Sequence, residues 1–263
     1  MGYGVPEVWV FIESLRRHYA GDIALLVTSR SPAPLLAYLR SRNVRPIFFD
    51  STFWMVTHVQ IGRFVRYGDF LRECERPYER IFLTDVRDVL FQSHPFTSCP
   101  AGDLTFFLED PRMTIGQCQS NSTWMHNVFG AETLRQLAGK RIACSGTTMG
   151  SHGAILRYLD TLLSYAPPQL TSKLVGTRGE DQGIHNFILH TAALPGIQTS
   201  ENHAFISNLC HVPPAEIRIL PDGISAAGCA RLPAIIHQYN YHGETLAFVS
   251  REYPLAPARG QRD

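Results

Sequence analysis

Apolar side chains at Val8, Phe11, Ile12 and Leu15 recur at helical spacing, so Val5 to Tyr19 is predicted to open the chain as a helix. The period then changes. Ile23 to Thr28 is a short apolar run ending in Ser and Pro, which reads as a buried strand; a helix from about Ala33 to Arg42 and a strand from Arg45 to Asp50 follow. From His58 to Cys74 the positions Ile61, Phe64, Val65, Gly68 and Leu71 mark one helical face, and Arg80 to Thr84 is a further buried strand.

Strands alternating with helices specify a mostly parallel sheet covered on both faces, where ligands gather at the carboxyl ends of strands. Asp85 to Asp88 stand at such an end. The second half is more mixed. Strands are predicted at Leu104 to Leu108 and Arg141 to Gly146, helical stretches at Asn121 to Phe129 and Ala131 to Ala138, and helices at His152 to Tyr165 and Asp181 to Ala193. Two late strands, Glu216 to Leu220 and Ala234 to Gln238, precede an end that reads as frayed from Pro254. No repeat or low-complexity linker divides the chain, so residues 1–253 are expected to form a single domain, with 254–263 as a tail.

Composition narrows the class. The 263 residues are 44% hydrophobic and 18% charged, enough to bury a full core, which excludes a disordered or fibrous chain. Lys and Arg (24) nearly balance Asp and Glu (23), with no long run of either sign, so no nucleic-acid partner is implied and any site for a charged ligand must be built locally. Six scattered cysteines without a Cys-x-x-Cys pair argue for buried reduced thiols rather than a zinc knot or a disulfide framework. No apolar stretch reaches the length of about 18 residues that a membrane span needs, and the N-terminus lacks a signal-peptide pattern, so a cytoplasmic location without a membrane span is expected.

Two carboxylates three positions apart, just beyond a buried strand, can converge on one hard cation whose other ligands are diphosphate oxygens. Asp85 and Asp88 meet that description; the alternative makes Asp88 or Arg87 a helix cap or a surface ion pair. Cys144 to Gly150 combines two glycines with three hydroxyl residues after an apolar strand, a composition that lets backbone N–H groups approach a sugar or phosphate, or that forms an ordinary turn capped by Ser151. Trp124 beside Asn121 offers either a platform for a sugar face or a core indole. Arg63 and Arg66 lie one turn apart; Arg63 is a candidate diphosphate contact, although arginines on such helices usually face solvent.

The segment Arg80-Ile-Phe-Leu-Thr-Asp-Val-Arg-Asp-Val-Leu-Phe-Gln-Ser-His-Pro-Phe96 resembles the metal-binding block of GT-A nucleotide-sugar glycosyltransferases in a variant where Asp-x-x-Asp replaces Asp-x-Asp. The resemblance continues in order through Asn121-Ser-Thr-Trp124, Cys144-Ser-Gly-Thr-Thr-Met-Gly150, Asp181-Gln-Gly-Ile-His-Asn186 and His237-Gln-Tyr239. It implies a GT-A, Rossmann-like α/β fold and transfer of a sugar from a nucleotide-diphosphate donor to a glycan or other hydroxyl acceptor. The implied cofactor is a divalent cation, Mn2+ or Mg2+. Asp85 would lie nearest the ribose and the metal, Asp88 would bind metal, and His237 would supply a late ligand, a role in which neutral imidazole suits manganese. Ser145, Gly146 and Thr147 would cradle the donor sugar. Asp181, then Gln182, would act at the reacting centre, as base toward the acceptor or in steadying an oxocarbenium-like carbon; otherwise the Asp is a helix cap.

One departure from that pattern stands out. Met1 to Pro6 is too short to supply the strand that normally opens the nucleotide-binding half, so the first strand is expected to be missing. The exposed strand edge and apolar surface left behind would favour a homo-oligomer. Two other functions compete: a non-catalytic nucleotide- or sugar-binding relative, and a phosphohydrolase of the Asp-x-Asp haloacid type, whose aspartates lie two rather than three apart.

Overall fold

The computed structural model describes residues 3–49, 59–166 and 179–255, and it is a mixed α/β chain. Helix α1 (Val5–His18) is set up locally: Pro6 stands in its first turn, Glu7 reaches back to the Gly4 N–H at 2.7 Å, and Arg16, Arg17 and His18 complement its C-terminal dipole. Its stripe of Val8, Phe11, Ile12 and Leu15 is buried, as the spacing requires. Strand β1 (Ile23–Val27), helix α2 (Ala33–Ser41), strand β2 (Val44–Phe48) and helix α3 (Val59–Arg72) follow. Next come β3 (Ile81–Thr84), β4 (Val89–Phe91) and β5 (Leu104–Leu108), then α4 (Gln119–Leu137). Gly130 breaks α4 with φ of 80°, a conformation glycine adopts without strain, and this separates the two helical stretches read on either side of it.

The chain continues through β6 (Ala143–Gly150), α5 (His152–Tyr165), α6 (Glu180–Thr191), β7 (Ile197–Ser200), β8 (Ile206–Asn208), β9 (Ile217–Leu220), β10 (Gly223–Ala226), β11 (Ile235–His237) and α7 (Gly243–Glu252). Ser151 caps α5 by accepting from the Ala154 N–H. The ends predicted at Asp50 and His58, and the tail from 256 onward, lie outside the described residues.

The mostly parallel single sheet is not what the described residues form. Strands run in orders β3-β6-β5-β7, β4-β11-β8 and β1-β2, with a β9-β10 hairpin. Only β1–β2, β5–β7 and β11–β8 are parallel; β6 is antiparallel to both β3 and β5. The reason is that burial on both faces, which the apolar residues of β5 report, does not report direction. Strand β6 also corrects the expected turn: Cys144 to Gly150 is extended throughout.

Behind β6, the Tyr158 hydroxyl lies 2.7 Å from His185 Nδ1, and the imidazole stacks on Phe106 at 3.7 Å, with both partners of the hydrogen bond fully buried. Burial pushes the His185 pKa down to about 3. The folded state therefore binds fewer protons than the unfolded chain below the ordinary histidine value of about 6.5. Stability is lost as pH falls from about 6.5 towards 3. Between pH 7.5 and 5 the expected loss from this residue is about 2 kcal/mol. Denaturant midpoints of wild type and His185→Gln at both pH values check it: the variant should show the smaller acid-induced drop.

Candidate metal centre and its surrounding network

Asp85 follows β3 directly, Asp88 precedes β4, and His237 ends β11, which pairs with β4 so that His237 stands opposite Val89. This pairing carries the imidazole to the aspartate loop across about 150 residues of sequence. One ligand atom from each of Asp85, Asp88 and His237 lies within 4.8 Å of the others. His237 Nε2 is 3.8 Å from Asp85 Oδ2 and 3.7 Å from Asp88 Oδ1, too long for hydrogen bonds but compatible with two ligands of one small ion.

The orientation of His237 is fixed from behind. Asn208 at the end of β8 donates through Nδ2 to the Leu108 carbonyl, so its Oδ1 is left as the acceptor facing His237 Nδ1 at 2.9 Å. Nδ1 therefore carries the proton, and Nε2 turns a lone pair toward the two carboxylates. That nitrogen has no hydrogen-bond partner among the described residues, and His237 is 1% exposed. A buried unpaired acceptor aimed at two carboxylates fits a hard divalent cation with mixed oxygen and nitrogen ligands. Gly146 makes the approach possible: a Cβ there would fall 2.6 Å from Asp85 Oδ2 and 3.0 Å from His237 Cε1. Its backbone carbonyl also accepts from the Asp85 N–H at 2.9 Å.

Arg63 projects from α3 between two acids rather than into solvent. Its Nη1 donates to Asp85 at 2.5 Å and its Nη2 to Asp181 at 2.7 Å. Arg66, one turn on, pairs with Asp69 and the Phe48 carbonyl at the surface. Burial raises the Asp85 carboxyl, but the charge and hydrogen bond of Arg63 oppose it, and the group is held below the ordinary carboxylate range. For Asp181 burial wins over Arg63, and its pKa is raised; Asp88 is also raised, by burial and by the neighbouring Asp85 charge.

Asp181 sits in the first turn of α6, but the helix cap is Gly179, and one carboxylate oxygen, Oδ2, accepts from Arg63 and the Ser145 hydroxyl. Gln182 is held from both ends of its amide. Its Oε1 accepts from the Ser145 N–H at 3.1 Å and shares the Ser145 hydroxyl proton, at 3.2 Å, with Asp181, while Nε2 donates to Glu109 at 3.1 Å and Asn121 at 3.2 Å. Gln182 thus positions its neighbours. Thr147 is fully buried with its hydroxyl unpartnered, and Trp124 packs its indole on the α6 N-terminus, where a Cβ at Gly179 would fall 2.2 Å from the ring.

Sequence reasoning missed Glu109, Asn208, Cys118 and His211. Glu109 stands immediately after the fully buried β5, the same strand-end signal that selected Asp85. Burial raises its carboxyl, offset in part by His211, whose Nε2 lies 3.4 Å away. His211 is pushed up to about 10 by hydrogen bonding to Cys118 and Cys210, with Glu109 adding its charge. Through Ser145 and Gln182, the Glu109–His211 pair joins the chain that runs from Asp85 through Arg63 to Asp181.

No family model matches the chain, and no curated protein matches it. No described helix is long and apolar enough to cross a membrane.

Proposed function

We propose that this chain is a GT-A-type glycosyltransferase that moves a sugar from a nucleotide-diphosphate donor to an acceptor hydroxyl, with Mn2+ or Mg2+ held by Asp85, Asp88 and His237. The observation that carries the reading is the oriented, unpartnered His237 Nε2 between two carboxylates at adjoining strand ends. The order of the sequence motifs supports the choice of nucleotide-sugar chemistry over other uses of a cation. When bound, the cation would neutralise diphosphate charge and make it a better leaving group.

The chain's own residues supply the rest. Arg63 ties the metal side of the site to the helix that bears Asp181. Asp181 takes the acceptor's proton or steadies positive charge at the anomeric carbon. Ser145 and Gln182 hold that carboxylate's surroundings in place, with Glu109 and Asn121 locking the Gln182 amide. Gly146 leaves beside β6 the room that the Asp85 carboxylate and the His237 ring occupy.

The test is a panel of nucleotide sugars with Mn2+, following release of nucleoside diphosphate with and without candidate acceptors, alongside calorimetric titration of the nucleoside diphosphates. Release that requires Mn2+ and stops with chelator is expected. A second reading, a non-catalytic binder, is favoured by the unjoined β1–β2 sheet; it predicts metal-dependent binding with no release. Absence of both binding and release would sink both readings.

A further inference from the structure

Five side chains close a circuit around the Gln182 amide. Its Nε2 donates to Glu109 Oε1 at 3.1 Å and to Asn121 Oδ1 at 3.2 Å. Asn121 Nδ2 lies 3.2 Å from Cys118 Sγ, the Cys118 thiol hydrogen-bonds His211, and His211 Nε2 returns to Glu109 Oε2 at 3.4 Å. The circuit thus contains a nucleophilic atom, an imidazole beside it and a carboxylate behind the imidazole, the order of groups that activates a nucleophile.

The direction of each hydrogen bond assigns the sulfur its role. Gln182 Oε1 is taken by the Ser145 N–H, so the Gln182 NH₂ is the end that faces Asn121. An NH₂ group only donates, so Asn121 must offer it Oδ1 and turn its own Nδ2 to the sulfur. Sγ is therefore an acceptor in that contact. Cys118 is also the N-cap residue of α4, where the helix dipole favours negative charge. Burial alone would raise the thiol, but the hydrogen bonds and charge of His211 and the hydrogen bonds of Asn121 bring it down to about 7. Glu109, 3% exposed, supplies the negative charge that keeps a proton on His211.

Other cysteines lack this setting. Cys74 donates its own proton to the Phe70 carbonyl at 3.2 Å, and Cys144 is enclosed at 2% exposure. Cys210 touches the His211 ring at 3.8 Å but caps no helix. Cys118 is 8% exposed and the His211 side chain 18%, so the pair sits at the edge of the interior, with an opening for a small molecule rather than a bulky substrate. A hydroperoxide suits both the size and the chemistry, because its reduction needs only a thiolate and a proton for the departing oxygen.

We infer that Cys118 is a site of oxidation by hydroperoxides, with His211 as the proton donor and Glu109 as the carboxylate that holds the imidazole. The Cys118 thiolate attacks the terminal oxygen of ROOH. A sulfur–oxygen bond forms as the oxygen–oxygen bond breaks, RO⁻ leaves with the electron pair, and it takes its proton from the His211 imidazolium. Sulfur is oxidised by two electrons to sulfenic acid, and the hydroperoxide is reduced to ROH. The new oxygen arises inside the circuit that holds Gln182, through Asn121. None of the metal ligands takes part, so the inference stands apart from the sugar-transfer reading.

The test treats the full chain with hydrogen peroxide at pH 7, quenches at intervals, unfolds, and alkylates the thiols that remain. Peptide mass spectrometry then follows each of the six cysteines separately. An ordinary cysteine is only a few per cent thiolate at this pH, so Cys118 should be consumed about 10-fold faster than any other. A dione trap for sulfenic acid, added during the reaction, should label the Cys118 peptide first. His211→Gln, which removes both the cation and the proton donor, should slow Cys118 about 10-fold and leave the others unchanged. Loss of Cys118 no faster than Cys74 or Cys99 in the wild-type chain overturns the inference without recourse to a variant. An unchanged Cys118 rate in His211→Gln with an unaltered thermal denaturation midpoint overturns it as well.

Discussion

Asp88→Ala lowers the Mn2+-dependent affinity for a nucleoside diphosphate by about 100-fold or more, while leaving metal-free affinity within a few-fold. The size follows from what is removed: loss of an outer partner of a metal ligand already costs about 10–100-fold, and Asp88 faces His237 Nε2 directly at 3.7 Å. Asp88 suits this test better than Asp85, whose carboxylate is also half of the Arg63 clamp, so that removing it would disturb Asp181 as well. Calorimetric titration with Mn2+, repeated with chelator, reads the effect. Thermal denaturation serves as the control for folding. An Asp88→Ala protein that binds as tightly as wild type with Mn2+ would mean that the cluster is an ordinary polar contact and that no ion bridges it to the diphosphate.

Asp181→Asn separates chemistry from binding. The change keeps the shape of the side chain and leaves Arg63 paired with Asp85, so donor affinity should change little. Turnover should fall about 10²–10⁴-fold, the scale of general-base assistance, with the loss in kcat rather than KM. Because burial raises the Asp181 pKa, the wild-type rate should also decline as acid protonates that carboxylate, and the Asn variant should lose this dependence. Transfer assays across pH on both proteins provide the measurement. Full turnover by the Asn variant would reduce Asp181 to a partner of Arg63 and Ser145, and Glu109, the other buried acid in the network, would become the first residue to examine.

The two substitutions draw on different kinds of legibility. Local patterning determined much of the chain: the buried stripe of α1, the break of α4 at Gly130, the Ser151 cap and the uniform burial of β5 all follow from side-chain spacing and backbone preference within a few residues. The rule that polar groups beyond a buried strand gather at a ligand end likewise pointed to Asp85, and applied to β5 it would have pointed to Glu109. These signals are local because helix turns and strand pleats are local.

Only the tertiary structure decided what depends on which strands lie side by side. Sequence periodicity carries burial but not direction, so the antiparallel placement of β6 between β3 and β5 had no signature in the chain. His237 reaches Asp85 and Asp88 because β11 pairs with β4, and its useful tautomer is set by Asn208 on β8, a third strand. Arg63 looked like a surface arginine and became the bridge between Asp85 and Asp181 because α3 packs with its guanidinium turned toward both acids, where paired carboxylates offset the cost of burying charge. Residues far apart in sequence acquire a common role when strand pairing and helix packing bring them within bonding distance, and no window of adjacent residues encodes that distance.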